Sequence, residues 1–165
     1  MGRRRALEVE IFKDIFSKEE LSYLLTEAKD KLKNAPTFDN TPNTCVAFNN
    51  DKLVKKIQLH LFEKLNVQPD IFEMQYQCWK NGEESTLHVH DETERGICDY
   101  NTLIYLNDDF DGGEFYTPNF IHKPVQGDVT FFNGETTWHG VKPIKNNDRY
   151  TIIIWWFNTN VSNNH

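Results

Sequence analysis

The feature that most constrains this chain is a change of texture at residue 70. Before it, apolar side chains recur at helical spacing. After it, the chain breaks into short runs rich in β-branched and aromatic residues, at 71–79, 85–90, 102–106, 114–116, 128–132 and 150–157. Turn formers separate them: Asn81-Gly82, Asp111-Gly112-Gly113, Gln126-Gly127, Asn133-Gly134 and Asn146-Asn147-Asp148. Many short strands at this spacing predict an antiparallel sandwich or jelly roll. With 165 residues, 12 Phe and 4 Trp, one domain has the large side chains its core needs.

The first third reads as helical. Ser17-Lys18-Glu19-Glu20 is a capping box, in which the serine hydroxyl and the Glu20 carboxylate each satisfy a free backbone donor. Leu21, Leu24, Leu25, Ala28 and Leu32 follow at helical spacing, and Pro36 ends the pattern. Residues 34–50, rich in Asn, Thr and Pro, read as loop. A second helix starts near Asp51, carries Leu53, Val54, Ile57, Leu61 and Leu65 on one stripe, and is closed by Pro69. His60 lies on it as a packing or surface residue, because no second ligand stands at helical spacing. The expected class is therefore α+β: residues 1–69 as mainly helical support, 70–157 as the β core and 158–165 as a frayed tail.

Charge and composition narrow the function. A net charge of −7, from 18 Lys and Arg against 25 Asp and Glu, argues against a nucleic-acid partner, whose binding is driven by phosphate neutralisation. No apolar run reaches membrane-spanning length, and no signal peptide is visible. Cys45, Cys78 and Cys98 are odd in number and widely spaced, which reads as free thiols in the cytoplasm.

The β half carries the chemistry. Residues i and i+2 of a strand face the same way, so His88 and His90 share a face, and Glu92 joins them if the strand continues. His139 lies about 50 residues downstream, after the run at 128–132. Two histidines and a carboxylate on one side of iron leave coordination positions open, the arrangement of non-haem Fe(II) oxygenases. Ten residues on stands Arg149, whose planar fork binds a carboxylate through two parallel hydrogen bonds. Tyr105 lies on a central strand between them. A lone His122 reads as a surface residue. Trp138, beside His139, fits either the core or the wall of a substrate mouth.

From about Met74 to Phe157 the chain resembles the prolyl 4-hydroxylase-like branch of the Fe(II)/2-oxoglutarate-dependent dioxygenases. Trp79-Lys80-Asn81-Gly82 followed by His88 is similar to that family's aromatic-x-x-Gly…His stretch. Leu103-Ile104-Tyr105-Leu106-Asn107 and Gly112-Gly113-Glu114-Phe115 look like its YLN strand and GGE turn. Lys123-Pro124, Gly127-Asp128 and Phe131-Phe132 resemble its next strand. His139-Gly140-Val141-Lys142-Pro143 looks like its distal histidine motif, and Arg149-Tyr150-Thr151 through Trp155 like its last strand.

The resemblance implies a double-stranded β-helix (jelly roll) with supporting N-terminal helices. It implies Fe(II) and 2-oxoglutarate as cofactors, with ascorbate as a supporting reductant. His139 becomes the distal iron ligand. Arg149 and Tyr105 become partners of the distal carboxylate of 2-oxoglutarate, and Thr151 and Trp155 line its pocket. The expected reaction is hydroxylation of a prolyl or other peptide side chain, with succinate and CO₂ as co-products, so the expected partner is a protein or peptide.

The chain departs from the family where His-x-Asp is expected and His88-Val89-His90-Asp91-Glu92 stands. Spacing from Gly82 favours His88 with His90, a three-histidine site with His139. The charge of Fe(II) favours a carboxylate, Glu92 in a His-x-Glu register or Asp91 after a bulge. Two competing functions follow from this departure: a catalytically silent binding module on the same fold, and a three-histidine metal oxygenase that does not use 2-oxoglutarate.

Overall fold

The computed structural model describes residues 8–35, 44–90 and 100–157. Twelve strands and two helices run in the order β1 (Val9–Phe12), α1 (Lys18–Leu32), β2 (Thr44–Ala47), α2 (Asp51–Leu65), β3 (Asp70–Trp79), β4 (Ser85–His88), β5 (Tyr100–Tyr105), β6 (Asp111–Gly112), β7 (Phe115–Thr117), β8 (Phe120–His122), β9 (Val129–Asn133), β10 (His139–Val141), β11 (Ile144–Lys145) and β12 (Arg149–Phe157). A six-stranded sheet has the order β1-β9-β5-β12-β3-β2, and a four-stranded sheet the order β4-β10-β7-β8. A ribbon of β11 and β6 completes the set. Neighbours distant in sequence pair antiparallel, as β12 does with both β3 and β5. This is the expected double-stranded β-helix.

The helices form for the reasons the sequence offers. Ser17 and Glu20 make both halves of the capping box. Leu21, Leu24, Ala28 and Leu32 are buried, while Leu25 lies at the margin. Asn50 caps α2 by accepting from the Leu53 N–H at 3.0 Å. That helix ends at Asn66 in the left-handed region, φ 56°, rather than at Pro69 as the sequence suggested. An asparagine adopts this conformation readily, and its N–H reaches the carbonyl of Leu61 or Phe62. His60 packs edge-on to Phe12, ring centroids 4.7 Å apart.

Six strands arise where none was expected: β6, β8, β10 and β11, each of two or three residues, and the longer β1 and β2. β1 adds to the edge of the large sheet against β9, and β2, within the presumed loop at 34–50, pairs with β3. Each is four residues long, too short for alternation to register, and each owes its conformation to pairing with a longer neighbour. None of the helices described is long and apolar enough to cross a membrane.

Each long strand of the large sheet divides its side chains between two interiors. Tyr76, Cys78, Ile104, Phe131, Ile152, Ile154 and Trp156 face outward and pack under α1 and α2. Leu103, Tyr105, Phe132, Ile153 and Trp155 face inward, towards Phe115 of the small sheet. A strand buried on both faces reads as a continuous apolar run, which is the pattern of residues 152–157. Polar groups under the helices are satisfied: Trp156 Nε1–H donates to Thr102 Oγ1 at 2.9 Å.

Candidate active site

Three histidines converge at the mouth of the barrel. His88 ends β4 and His139 begins β10, opposite each other in the strand pair. The expected strand at 85–90 stops at His88, and His90 lies beyond it, its N–H donating to Gly134 O at 2.8 Å. The ligand atoms of His88, His90 and His139 all lie within 4.8 Å of one another. His90 Nε2 and His139 Nε2 are 3.2 Å apart. Two nitrogens bound at right angles to one ion, each at about 2.1 Å, stand roughly 3 Å apart, so this spacing suits one metal.

The surroundings set the tautomers. His139 Nδ1 lies 2.7 Å from Thr137 O and His88 Nδ1 2.8 Å from Thr86 O. A carbonyl only accepts, so both Nδ1 atoms carry the proton and both Nε2 lone pairs face the metal position. Burial beside Phe115 and Phe132, and then the two neighbouring histidines, lower the His139 pKa to about 3. The ring is therefore a neutral, ready ligand at physiological pH. The alternative carboxylates, Asp91 and Glu92, lie outside the described residues.

A second cluster lies deeper on the inner face. Arg149, at the start of β12, is only 1% exposed and has no carboxylate within ion-pair distance among the described residues. It stands opposite Trp79 of β3, and Thr151 stands between Gln77 and Tyr105. The guanidinium lies 5.6 Å from the Trp79 ring and 5.0 Å from the Tyr105 ring. Arg149 Nη2 donates to the Tyr105 hydroxyl at 3.3 Å. Burial raises the Tyr105 pKa, which keeps it a neutral donor. Trp79 Nε1, Arg149 Nε and Thr151 Oγ1 are all buried without a hydrogen-bond partner. A buried cation ringed by unsatisfied donors is costly alone and fits an anion with acceptor oxygens. The four expected residues thus share one face. Arg149, Tyr105 and Thr151 cluster together, while Trp155 lies at the end nearer the histidines, opposite Asn101.

Sequence reasoning did not read the roles of four residues here. His122, expected on the surface, has a side chain only 11% exposed, with its ring 5.8 Å from that of Tyr105. Its Nε2 lies 3.1 Å from Asp128 Oδ2, at ion-pair distance though not aligned as a hydrogen bond. Its pKa is lowered, mainly by burial, with Asp128 opposing. Trp79 was visible only as an aromatic in a motif. Gly112-Gly113, which could have been a simple hairpin turn, instead sets Gly112 of β6 against Ile144 of β11 and packs Gly113 beside the Arg149 stem.

The family model of the 2OG-Fe(II) oxygenase superfamily matches residues 74–157, half of the chain. The chain belongs to the 2OG-Fe(II) oxygenase superfamily. Prolyl 3-hydroxylase 2 of Mus musculus is 31% identical over 88 residues, covering 48% of this chain. The chain spans only 11% of that relative's length. Among solved structures, the viral collagen prolyl hydroxylase of Paramecium Bursaria Chlorella virus-1, in complex with 2OG, superposes with a TM-score of 0.72 at 20% identity, over 91% of this chain and 95% of that one. A prolyl hydroxylase from Trichoplax adhaerens, in complex with a hypoxia inducible factor peptide fragment, superposes with a TM-score of 0.72 at 15% identity, over 93% of this chain and 84% of that one. The residues of this superfamily member fit both cofactors that its family name carries: three oriented imidazoles for Fe(II), and a buried arginine with unsatisfied donors for 2-oxoglutarate.

Proposed function

We propose that this chain is an Fe(II)/2-oxoglutarate-dependent dioxygenase that hydroxylates a prolyl or other peptide side chain. The observation that carries the reading is Arg149, a buried cation surrounded by donors without acceptors. When bound, iron and 2-oxoglutarate supply the oxidising power, with succinate and CO₂ as co-products. His88, His90 and His139 hold the metal, and Thr86 O and Thr137 O keep the proton on Nδ1 of two of them. Arg149 and Tyr105 bind the far carboxylate of the cosubstrate, with Thr151 and Trp79 as further donors. Trp155, Phe115 and Phe132 keep the space between the two sites dry.

Trp138 precedes His139 in the chain and is 53% exposed, which supports the substrate-mouth assignment over the core one. The peptide bound to the Trichoplax adhaerens relative supports a peptide substrate. Cys78, a buried free thiol, supports a reducing, cytoplasmic setting. A silent binding module has no use for oriented imidazoles, and an oxygenase independent of 2-oxoglutarate has none for the Arg149 pocket.

The test is anaerobic. Fe(II) and then 2-oxoglutarate are added to the metal-free protein, and the visible metal-to-ligand charge-transfer band is followed. Appearance of the band with the cosubstrate, followed by peptide-dependent succinate and a mass gain of one oxygen in a prolyl peptide, supports the reading. Iron binding without the band sinks it in favour of the 2-oxoglutarate-independent oxygenase, and no iron binding favours the silent module.

A further inference from the structure

His122 is a histidine that the metal site does not use. It ends β8 directly opposite Phe115 of β7, so its side chain shares the inner face with Phe115. That side chain is only 11% exposed, and its ring lies 5.8 Å from the Tyr105 ring on the large sheet. The Tyr105 hydroxyl in turn accepts from Arg149 Nη2. His122 and Arg149 therefore both pack against Tyr105, one from the small sheet and one from the large.

The charges around this histidine are unevenly placed. Asp128, just before β9, is 2% exposed and sets Oδ2 3.1 Å from His122 Nε2. Its Oδ1 pairs with Lys13 Nζ at 2.6 Å, and the Val125 N–H donates to Oδ2 at 3.2 Å. Lys13, beyond the end of β1, is 57% exposed, so water and salt screen its charge. With Tyr105 on β5 and Arg149 on β12, these are the ionisable groups that face His122 among the described residues. Burial lowers the His122 pKa, Asp128 opposes that effect, and Lys13 and Arg149 add to it, so the ring is neutral at neutral pH.

The buried charges then cancel in sum only while the pocket is empty: one positive charge on Arg149 against one negative charge on Asp128. A carboxylate docked on Arg149 and Tyr105 leaves this set one positive charge short, which is costly away from water. We infer that His122 is a second, titratable cation of the cosubstrate pocket: it takes up one proton from solvent as the far carboxylate of 2-oxoglutarate binds, and so ties cosubstrate affinity to pH. The inference rests on the proposed use of 2-oxoglutarate, and it adds a residue that no motif of the sequence marks. The sign follows from the charge. An anion beside His122 raises its pKa, so affinity rises as pH falls through the bound-state value and levels off below the lower, free-state value.

The experiment is anaerobic calorimetric titration of 2-oxoglutarate into the Fe(II)-loaded full chain, between pH 8 and 6, in two buffers of different ionisation enthalpy. The difference between buffers counts the protons taken up. The unaltered chain should take up protons on binding and bind about tenfold more tightly at pH 6 than at pH 8, the change that accompanies each unit of pKa shift. His122→Gln keeps a polar side chain that never carries charge, and should lose both the uptake and the pH dependence. Asp128→Asn removes the buried negative charge, so it should lose the uptake as well, yet bind 2-oxoglutarate more tightly than the unaltered chain at pH 8. A merely structural role for either residue would weaken binding without changing the proton count. Uptake that persists in either variant, or no gain in affinity in Asp128→Asn, overturns the inference. Binding with the charge-transfer band but without proton uptake in the unaltered chain overturns the role of His122 alone. Neither heat of binding nor band in the unaltered chain overturns the proposed activity and this inference together.

Discussion

His88 and His139 stand opposite each other across the β4–β10 pair, with ring centroids 4.5 Å apart. A slip of one residue in either strand would turn its histidine to the other face, so strand register and metal site stand or fall together. His139→Ala should abolish metal uptake, since it removes the most buried ligand of the three. Metal content after anaerobic loading decides the matter; a variant that still holds iron at full occupancy removes His139 from the ligand set.

The same burial makes the metal-free protein acid-sensitive. The His139 pKa falls from 6.5 to about 3 in the folded chain, chiefly through burial. Between those values the unfolded chain binds a proton that the folded chain refuses, so stability is present above the unfolded value and is lost as pH falls towards the folded one. Each unit is worth about 1.4 kcal/mol, giving a loss of a few kcal/mol from this residue by pH 4. Urea midpoints measured on metal-free protein between pH 7.5 and 4 should fall more steeply in the unaltered chain than in His139→Gln. Parallel curves would contradict the assignment.

Arg149 separates cosubstrate binding from metal binding. Its guanidinium lies 5.6 Å from the Trp79 ring and 5.0 Å from the Tyr105 ring, and it is not among the clustered metal-ligating side chains. Arg149→Ala should therefore weaken 2-oxoglutarate by about 2 kcal/mol or more, roughly 30-fold in Kd, and leave Fe(II) affinity near its starting value. Titrations of the two ligands should part in this way; equal losses in both would mean that Arg149 supports the fold and not the cosubstrate.

Gly134 tests how tightly the mouth is built. Its Cβ would strike both Asn101 and His90, and neither can retreat without disturbing β5 or the ligand. Gly134→Ala should cost about 1–3 kcal/mol in stability, as overpacking does, and weaken Fe(II) binding as well. Denaturant unfolding with a parallel metal titration reads both effects.

What was legible in the sequence divides along physical lines. The long strands showed themselves because one face of each meets the helices and the other meets the barrel interior, as in β12. Tyr105 and Arg149 could be placed because they belong to such strands, β5 and β12, whereas His139, at the start of three-residue β10, was placed by its motif and its spacing from Arg149. β1 and β2 were missed because four residues at a sheet edge take their conformation from a partner remote in sequence. His122 looked like a surface histidine because its burial comes from packing across to Tyr105, a relation no local pattern encodes.

Trp138 offers the cleanest test of the substrate side. It immediately precedes His139, yet over half of its surface is exposed, an unusual setting for so large an apolar ring. A flat aromatic beside a metal site can lie against a prolyl ring or a peptide backbone and exclude water from it. Since Trp138 supports little of the core, Trp138→Ala should leave the denaturation midpoint within about 0.5 kcal/mol of the starting protein, as surface substitutions do. The charge-transfer band with Fe(II) and 2-oxoglutarate should form as before. The loss should fall on KM for the peptide, by tenfold or more if the ring anchors substrate with the roughly 1–2 kcal/mol of an interface hot spot. A variant with unaltered peptide KM would move the substrate away from this edge of the barrel. A variant that loses the band would mean that Trp138 holds His139 in place instead.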